Sequence, residues 1–308
     1  MKRLSRNLMT GSIFTLPALT LLAGVVGCEP TNRVTPGAPA LVAFSVVTPA
    51  GQVAELVTEA GPQSVPPLSH FFALFDRILD PTGVEVVDSD GGLTAKEGVA
   101  DVKWTGGAIE STSLYIPNGH QKLTFIPAAF GLPFNVGPSL TITPTSGMPS
   151  GSTVTVKLNA EKVRSHDQLH SFVSDVGVPY PLTFQTDPLQ VTTDEPQPVA
   201  AGVDGAVPPG QSPPVAADFV LHLTFNNYTA PITMDAIQAV VTVAGAPVSD
   251  FRPLTARDPM NSAVWTVSPP NSGWPAGAAV RVTIGTTAMD NFGVALAAPA
   301  TASFTVAQ

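Results

Sequence analysis

Few residues in this 308-residue chain have the type and spacing that chemistry needs. Cys28 is the only cysteine. It has no internal disulfide partner, so its presence needs another explanation. His166 and His170 flank Asp167 at a spacing that suits a metal ion when carried on a helix. Here a strand-like run, Val154 to Leu158, precedes them and Pro179 to Pro181 follows, so a solvated loop is expected instead. Asp88-Ser89-Asp90-Gly91-Gly92 resembles part of a calcium loop. It lacks the third acid and the closing glutamate of an EF-hand loop, so a plain turn is expected. Trp104, Trp265 and Trp274 offer flat faces for a carbohydrate. The competing role for such side chains in a β protein is core or edge packing. Asn227-Tyr228-Thr229 fits a glycosylation sequon and is read as chance.

Other catalytic patterns are missing from the sequence. No Gly-x-Ser-x-Gly stands at a strand-to-helix junction. There is no glycine-rich phosphate loop before a helix, no His-Glu-x-x-His and no paired-carboxylate motif. The expectation is a protein without catalytic residues, cofactor or resident metal. A degenerate hydrolase or metal enzyme hidden in the longer first half is the rival, with His166/His170 or Asp88/Asp90 as its metal candidates.

The elements that would carry these residues read as strands. Thr153 to Leu158 alternates, with Val154, Val156 and Leu158 set to face a core and Thr153, Thr155 and Lys157 the solvent. Phe219, Leu221, Leu223 and Phe225 alternate with polar partners in the same way. Leu41 to Val47 is the first strand candidate, and Phe71 to Asp76, apolar on both faces, suits the middle of a sandwich. Leu114 to Ile116 and Lys122 to Ile126 flank Pro117-Asn118-Gly119, a hairpin signal. Almost no segment has a 3.6-residue period, and Ile232 to Ala239 offers one short helical turn. Residues 187–216 carry seven prolines and read as a domain junction with a short strand at Leu189 to Thr192.

The two halves resemble each other. Pro149 to Leu158 lies over Pro275 to Ile284 without a gap. Phe75-Asp76 falls over Phe225-Asn226, Phe125-Ile126-Pro127 over Val267-Ser268-Pro269, and Leu182 to Thr186 over Ala302 to Val306. Asp88 to Gly92 takes the place of the Val243 to Ala246 turn. Ser165-His166-Asp167 corresponds to the acidic turn Met289 to Gly293, but lacks its glycine. The first copy holds an insertion near Phe130 to Met148.

On these residues the chain resembles the bacterial Ig-like domain of S-layer proteins and many surface lipoproteins. That family shows an apolar strand ending in Phe plus a polar residue, a Pro-x-Gly turn, an Asp-x-x-Gly turn and a closing Phe-Thr strand. Phe225-Asn226, Pro275-Ala276-Gly277, Asp290-Asn291-Phe292-Gly293 and Phe304-Thr305 match it in turn. The resemblance covers residues 38–308 and implies an all-β fold of two tandem Ig-like β-sandwich domains. It also implies an envelope role through protein contact. In either copy, the acidic turn is expected to shape its own loop.

The N-terminus resembles a bacterial lipoprotein signal. Lys2, Arg3 and Arg6 form a basic head, an apolar run from Ile13 to Val26 follows, and Val25-Val26-Gly27-Cys28 resembles a lipobox. The run is shorter than the roughly 18 residues of a spanning helix. Val25 and Val26 depart from the usual Leu and small residue. The resemblance implies cleavage between Gly27 and Cys28 and lipidation of Cys28. The expected organisation is a signal peptide at 1–27, a lipidated N-terminus and flexible stalk at 28–40, and sandwich domains at 41–187 and 188–308. The leader holds three basic residues and no acid, so the mature chain carries 11 basic against 23 acidic residues, a formal −12. That charge disfavours nucleic acid and anionic membrane faces, leaving the lipid as the membrane contact. The expectation is therefore a lipoprotein anchored in a bacterial envelope, at the outer membrane or cell surface more than the inner membrane. Its partner would be an envelope protein, or, in the alternative, a glycan bound by loops near Trp104 or Trp274.

Overall fold

The computed structural model describes residues 37–54, 56–58, 61–87, 93–117, 138–197 and 212–308, and the chain there is mostly β-sheet with few helices. Residues 34–308 cluster as one compact unit. The described strands form four main sheets.

Two sheets enclose the first core. One runs, edge to edge, Val173–Ser174, Ala40–Val47, His70–Phe75, Ser139–Pro144, Ser111–Ile116, Lys96–Glu97. The other runs Gly107–Ile109, Ala100–Trp104, Thr153–Leu158, Leu182–Thr186, Ser64–Val65. Alternation decides what each contributes. Phe71, Ala73 and Phe75 point inward from one sheet, and Val154, Val156 and Leu158 from the other, all essentially buried. Removing such side chains from water supplies about 1.5–3 kcal/mol each. Two sheets that share one apolar filling make a sandwich-like body.

The second body repeats the arrangement. Val191–Thr193, Leu221–Phe225, Val264–Ser268 and Leu254–Arg257 form one sheet, and Ala246–Pro247, Ile237–Val243, Ala278–Ile284 and Ala300–Thr305 the other. Their core is a separate cluster that includes Leu221, Leu223, Phe225, Trp265, Trp274 and Phe304. A parallel bridge joins Val215 to Val306, as Ser64–Val65 runs parallel to Gln185–Thr186 in the first body.

The correspondence holds at residue level. Phe184 faces Val154 across the ladder, and Phe304 faces Val280. Asp76 and Asn226 close the same strand pair in each body. Asp76 Oδ1 accepts from Ala40 N at 2.7 Å while Asp76 N donates to Ala40 O. Asn226 Oδ1 accepts from Gln190 N at 2.9 Å while Asn226 N donates to Gln190 O. The polar residue after each Phe thus satisfies a backbone donor where the ladder ends.

Three expectations need correction. The strand Ser111–Ile116 pairs with Ser139–Pro144, and the hairpin expected between Leu114–Ile116 and Lys122–Ile126 falls on residues 118–137, which lie outside the described residues. Ser139–Pro144 takes the place assigned to Phe125-Ile126-Pro127. Leu140 pairs with Ala73 as Trp265 pairs with Leu223. The counterpart of the Val243–Ala246 turn is the Trp104–Gly107 turn, not Asp88–Gly92. Residues 88–92 fall outside the described residues between two short paired strands, Val86–Val87 and Leu93–Thr94. Finally, Asp167 is not the counterpart of Asp290. Leu79 bridges Ser165 as Thr229 bridges Asp290, so Ser165 holds that position. Gln168, with φ 62°, then stands where Gly293 has φ 82°.

Two short helical turns complete the bodies. Pro81–Val84 begins with Asp80, whose side chain accepts from Thr82 N at 3.1 Å, a helix N-cap. The 3-10 helix Pro231–Ala236 covers the first part of the helical turn read at Ile232 to Ala239, and residues 237–239 belong instead to the strand Ile237–Val243.

Candidate functional site

The residues singled out for chemistry are spread over the molecule. Gly27 and Cys28 lie outside the described residues, as do Asp88 and Asp90. His166 and His170 are exposed on the loop that follows Thr153–Leu158. Asp167 between them is occupied locally. Its Oδ1 accepts from Ser165 Oγ at 2.5 Å and Leu169 N at 3.1 Å, and these bonds hold its carboxyl below the ordinary value. Among the described residues no group of three or more His, Cys, Asp or Glu is placed to hold a metal ion.

The tryptophans do not share a surface. Trp274 is 2 % exposed, donates Nε1–H to Phe219 O at 2.7 Å, and stacks between Phe251 and Phe304 with ring centroids 5.4 Å from each. Trp265 is equally buried, its Nε1–H donated to Thr229 Oγ1 at 2.8 Å. Both are core residues with a satisfied polar handle. Trp104 is half-buried, and its indole lies over Gly106, where an added Cβ would stand 2.2 Å from the ring.

Three surface grooves lie among the described residues. One of about 550 Å3 follows the strand Ala40–Val47 and is lined by Val42, Phe44, Ala54, Leu56, Val178 and Pro179. Another of similar size covers the outer face of the Ala278–Ile284 sheet, with Arg281 as its ionisable group. A smaller one gathers Glu97, Asp101, Lys103 and Glu110, where exposed Lys103 and Asp101 are 3.8 Å apart. Solvent screening leaves such a pair little energy.

The densest buried polar cluster lies elsewhere. Asp290 is fully buried in the turn before the last strand. Its Oδ1 accepts from Phe292 N and Val294 N, both at 2.9 Å, which closes the loop as the sequence led one to expect. Its Oδ2 accepts from Ser150 N at 2.8 Å and from Asn227 Nδ2 at 3.2 Å. Asn227 Nδ2 also donates to Met148 O at 2.7 Å. The sequon asparagine is therefore buried with its amide engaged and has no free nitrogen for a glycan. Sequence reasoning missed Met148, Ser150 and Asn227. The Asn227 sequon points to a different role, Met148 and Ser150 carry no site motif, and only the meeting of loops far apart in the chain gives all three a part.

Compared with protein-family models and with curated proteins, the chain matches none. No helix among the described residues is long and apolar enough to cross a membrane.

Proposed function

We propose that this is a non-catalytic lipoprotein of the bacterial cell envelope, tethered through acylated Cys28 and presenting two Ig-like sandwiches for contact with another envelope component. The observation that carries the Ig-like reading is the sheet order, repeated in both bodies. Lettered along the second body, the strands from Val191, Leu221, Val264 and Leu254 follow the order A-B-E-D. Those from Ala246, Ile237, Ala278 and Ala300 follow C′-C-F-G. That partition of strands between two sheets is what an immunoglobulin-type sandwich would have, and it supports the Ig-like reading. The parallel Val215–Val306 bridge adds an A′ segment beside G. The anchor rests on the Val25-Val26-Gly27-Cys28 motif behind a basic head and an apolar run.

The scattered chemistry supports a binding role over catalysis, because His166, His170 and the tryptophans do not converge on one cleft. A glycan reading centred on Trp274 loses its support, since that indole fills the core. Metabolic labelling with radioactive palmitate tests the anchor. The wild-type chain takes up label and the Cys28→Ala chain does not; equal labelling of both overturns the anchor.

A further inference from the structure

The contact between the two β bodies is built from loop residues, of which Met148 also packs in the first core and Asp290 also closes its own loop. Met148, Ser150, Asn227 and Asp290 are each 0 % exposed, and the first two belong to the first body, the others to the second. Asp290 divides its carboxylate. Oδ1 holds its own loop, whereas Oδ2 reaches Ser150 N of the other body. Asn227 Nδ2 spans the same gap to Met148 O and Ser150 Oγ, at 2.7 and 3.1 Å. Gly147 lets the loops approach, since a Cβ there would stand 2.6 Å from Asn227 Oδ1. Beside this network Trp104 of the first body meets Phe292 of the second edge to face, centroids 6.0 Å apart. A carboxylate taken out of water is costly unless donors surround it. Here three backbone N–H groups and an amide do so.

The internal repeat supplies a control. Each junction residue has a repeat counterpart away from the junction, and each polar one is different there. Ser165 stands for Asp290, Arg77 for Asn227 and Ala276 for Ser150. The backbone is nonetheless the same, with φ 72° at Gly147 and 76° at Gly273, and Met148 N bonding Pro67 O as Trp274 N bonds Ala217 O. A sandwich of this topology thus forms without the Asp, Asn and Ser trio, and the bonds of Asp290 Oδ2 and Asn227 Nδ2 serve the junction.

We propose that the Asp290–Asn227–Ser150 network is a lock that makes the two bodies one rigid, cooperatively unfolding unit, so the molecule acts as a stiff spacer and not as two beads on a hinge. The lock stands whether or not Cys28 is acylated. Asp290→Asn is the selective probe. Its Oδ1 keeps the loop bonds, while an NH2 in place of Oδ2 faces the donors of Ser150 and Asn227. Asn227→Ala is the second probe and leaves the Asp290 loop intact. Both, with Ser165→Ala as the control away from the junction, are made in the full chain in detergent and followed by calorimetry and hydrogen exchange. The lock predicts one transition for wild type and Ser165→Ala, two for both junction variants, and exchange at Ser150 N faster by about tenfold or more in Asp290→Asn. Two independent transitions in wild type, or one transition and unchanged Ser150 exchange in both junction variants, overturns it.

Discussion

Gln168 shows how a single residue can depart from its counterpart and still keep the fold. It holds the left-handed position that Gly293 fills in the second body. A residue with a Cβ is held there at a penalty of about 1–2 kcal/mol. Gln168→Gly removes that strain, offset in part by the extra backbone freedom a glycine loses on folding, about 0.5–1 kcal/mol. The expected net gain is up to about 1 kcal/mol in urea unfolding; a loss of stability would contradict the assignment of this turn. His70 adds a pH dependence. Its ring is largely buried beside Thr143 Oγ1, 3.1 Å from Nδ1, and burial lowers its pKa below 6.5. The unfolded chain then binds the proton more tightly than the folded one. Stability contributed by neutral His70 is present above about pH 6.5 and falls as the pH drops through that value. Melting curves between about pH 8 and about pH 5 should show this fall, and His70→Gln should reduce it. An equal slope in the two proteins would remove His70 as the cause.

At the scale of elements, strands with strict alternation were readable from the sequence. Val154, Val156 and Leu158 face inward as their period requires, and Phe225-Asn226 ends its strand as Phe75-Asp76 does. The strand Ser139–Pro144 was not read, although Leu140 and Ile142 alternate with Ser139, Thr141 and Thr143. Local turn chemistry at Asn118-Gly119 says nothing of a pairing between Ser111–Ile116 and Ser139–Pro144, which are distant in the chain. The acidic turn of the first body was misaligned for a similar reason. Its acid lies two residues beyond the position that Asp290 occupies, and only the Leu79–Ser165 bridge reveals the offset. Short elements also depend on close approach. The turn Pro81–Val84 lies against Lys162, where a Cβ on Gly83 would stand 2.0 Å from Lys162 O. Gly83→Ala must push backbone from backbone and should cost about 1–3 kcal/mol. An unchanged midpoint in chemical denaturation would show that the turn does not dock this closely.

For the whole molecule, two cores of separate composition meet through a small buried polar seam. Each core rests on large apolar side chains, because the single cysteine rules out an internal disulfide. Trp274 is central to the second. Trp274→Ala should cost about 3–5 kcal/mol, and, with the lock in place, it should lower the common transition instead of melting one body alone. A lower first transition confined to the second body would separate the two cores energetically. The seam was not legible in the sequence, since Ser150 and Asp290 are 140 positions apart and neither lies in a pattern that announces the other.

The proposed tether at Cys28 would carry two β bodies. Mass spectrometry of the full chain purified from a bacterial host tests the tether most directly. The account predicts an N-terminal peptide that begins at Cys28 with the added mass of a diacylglyceryl group on sulfur. A mature chain that starts elsewhere, or a Cys28 recovered as a free thiol, contradicts it.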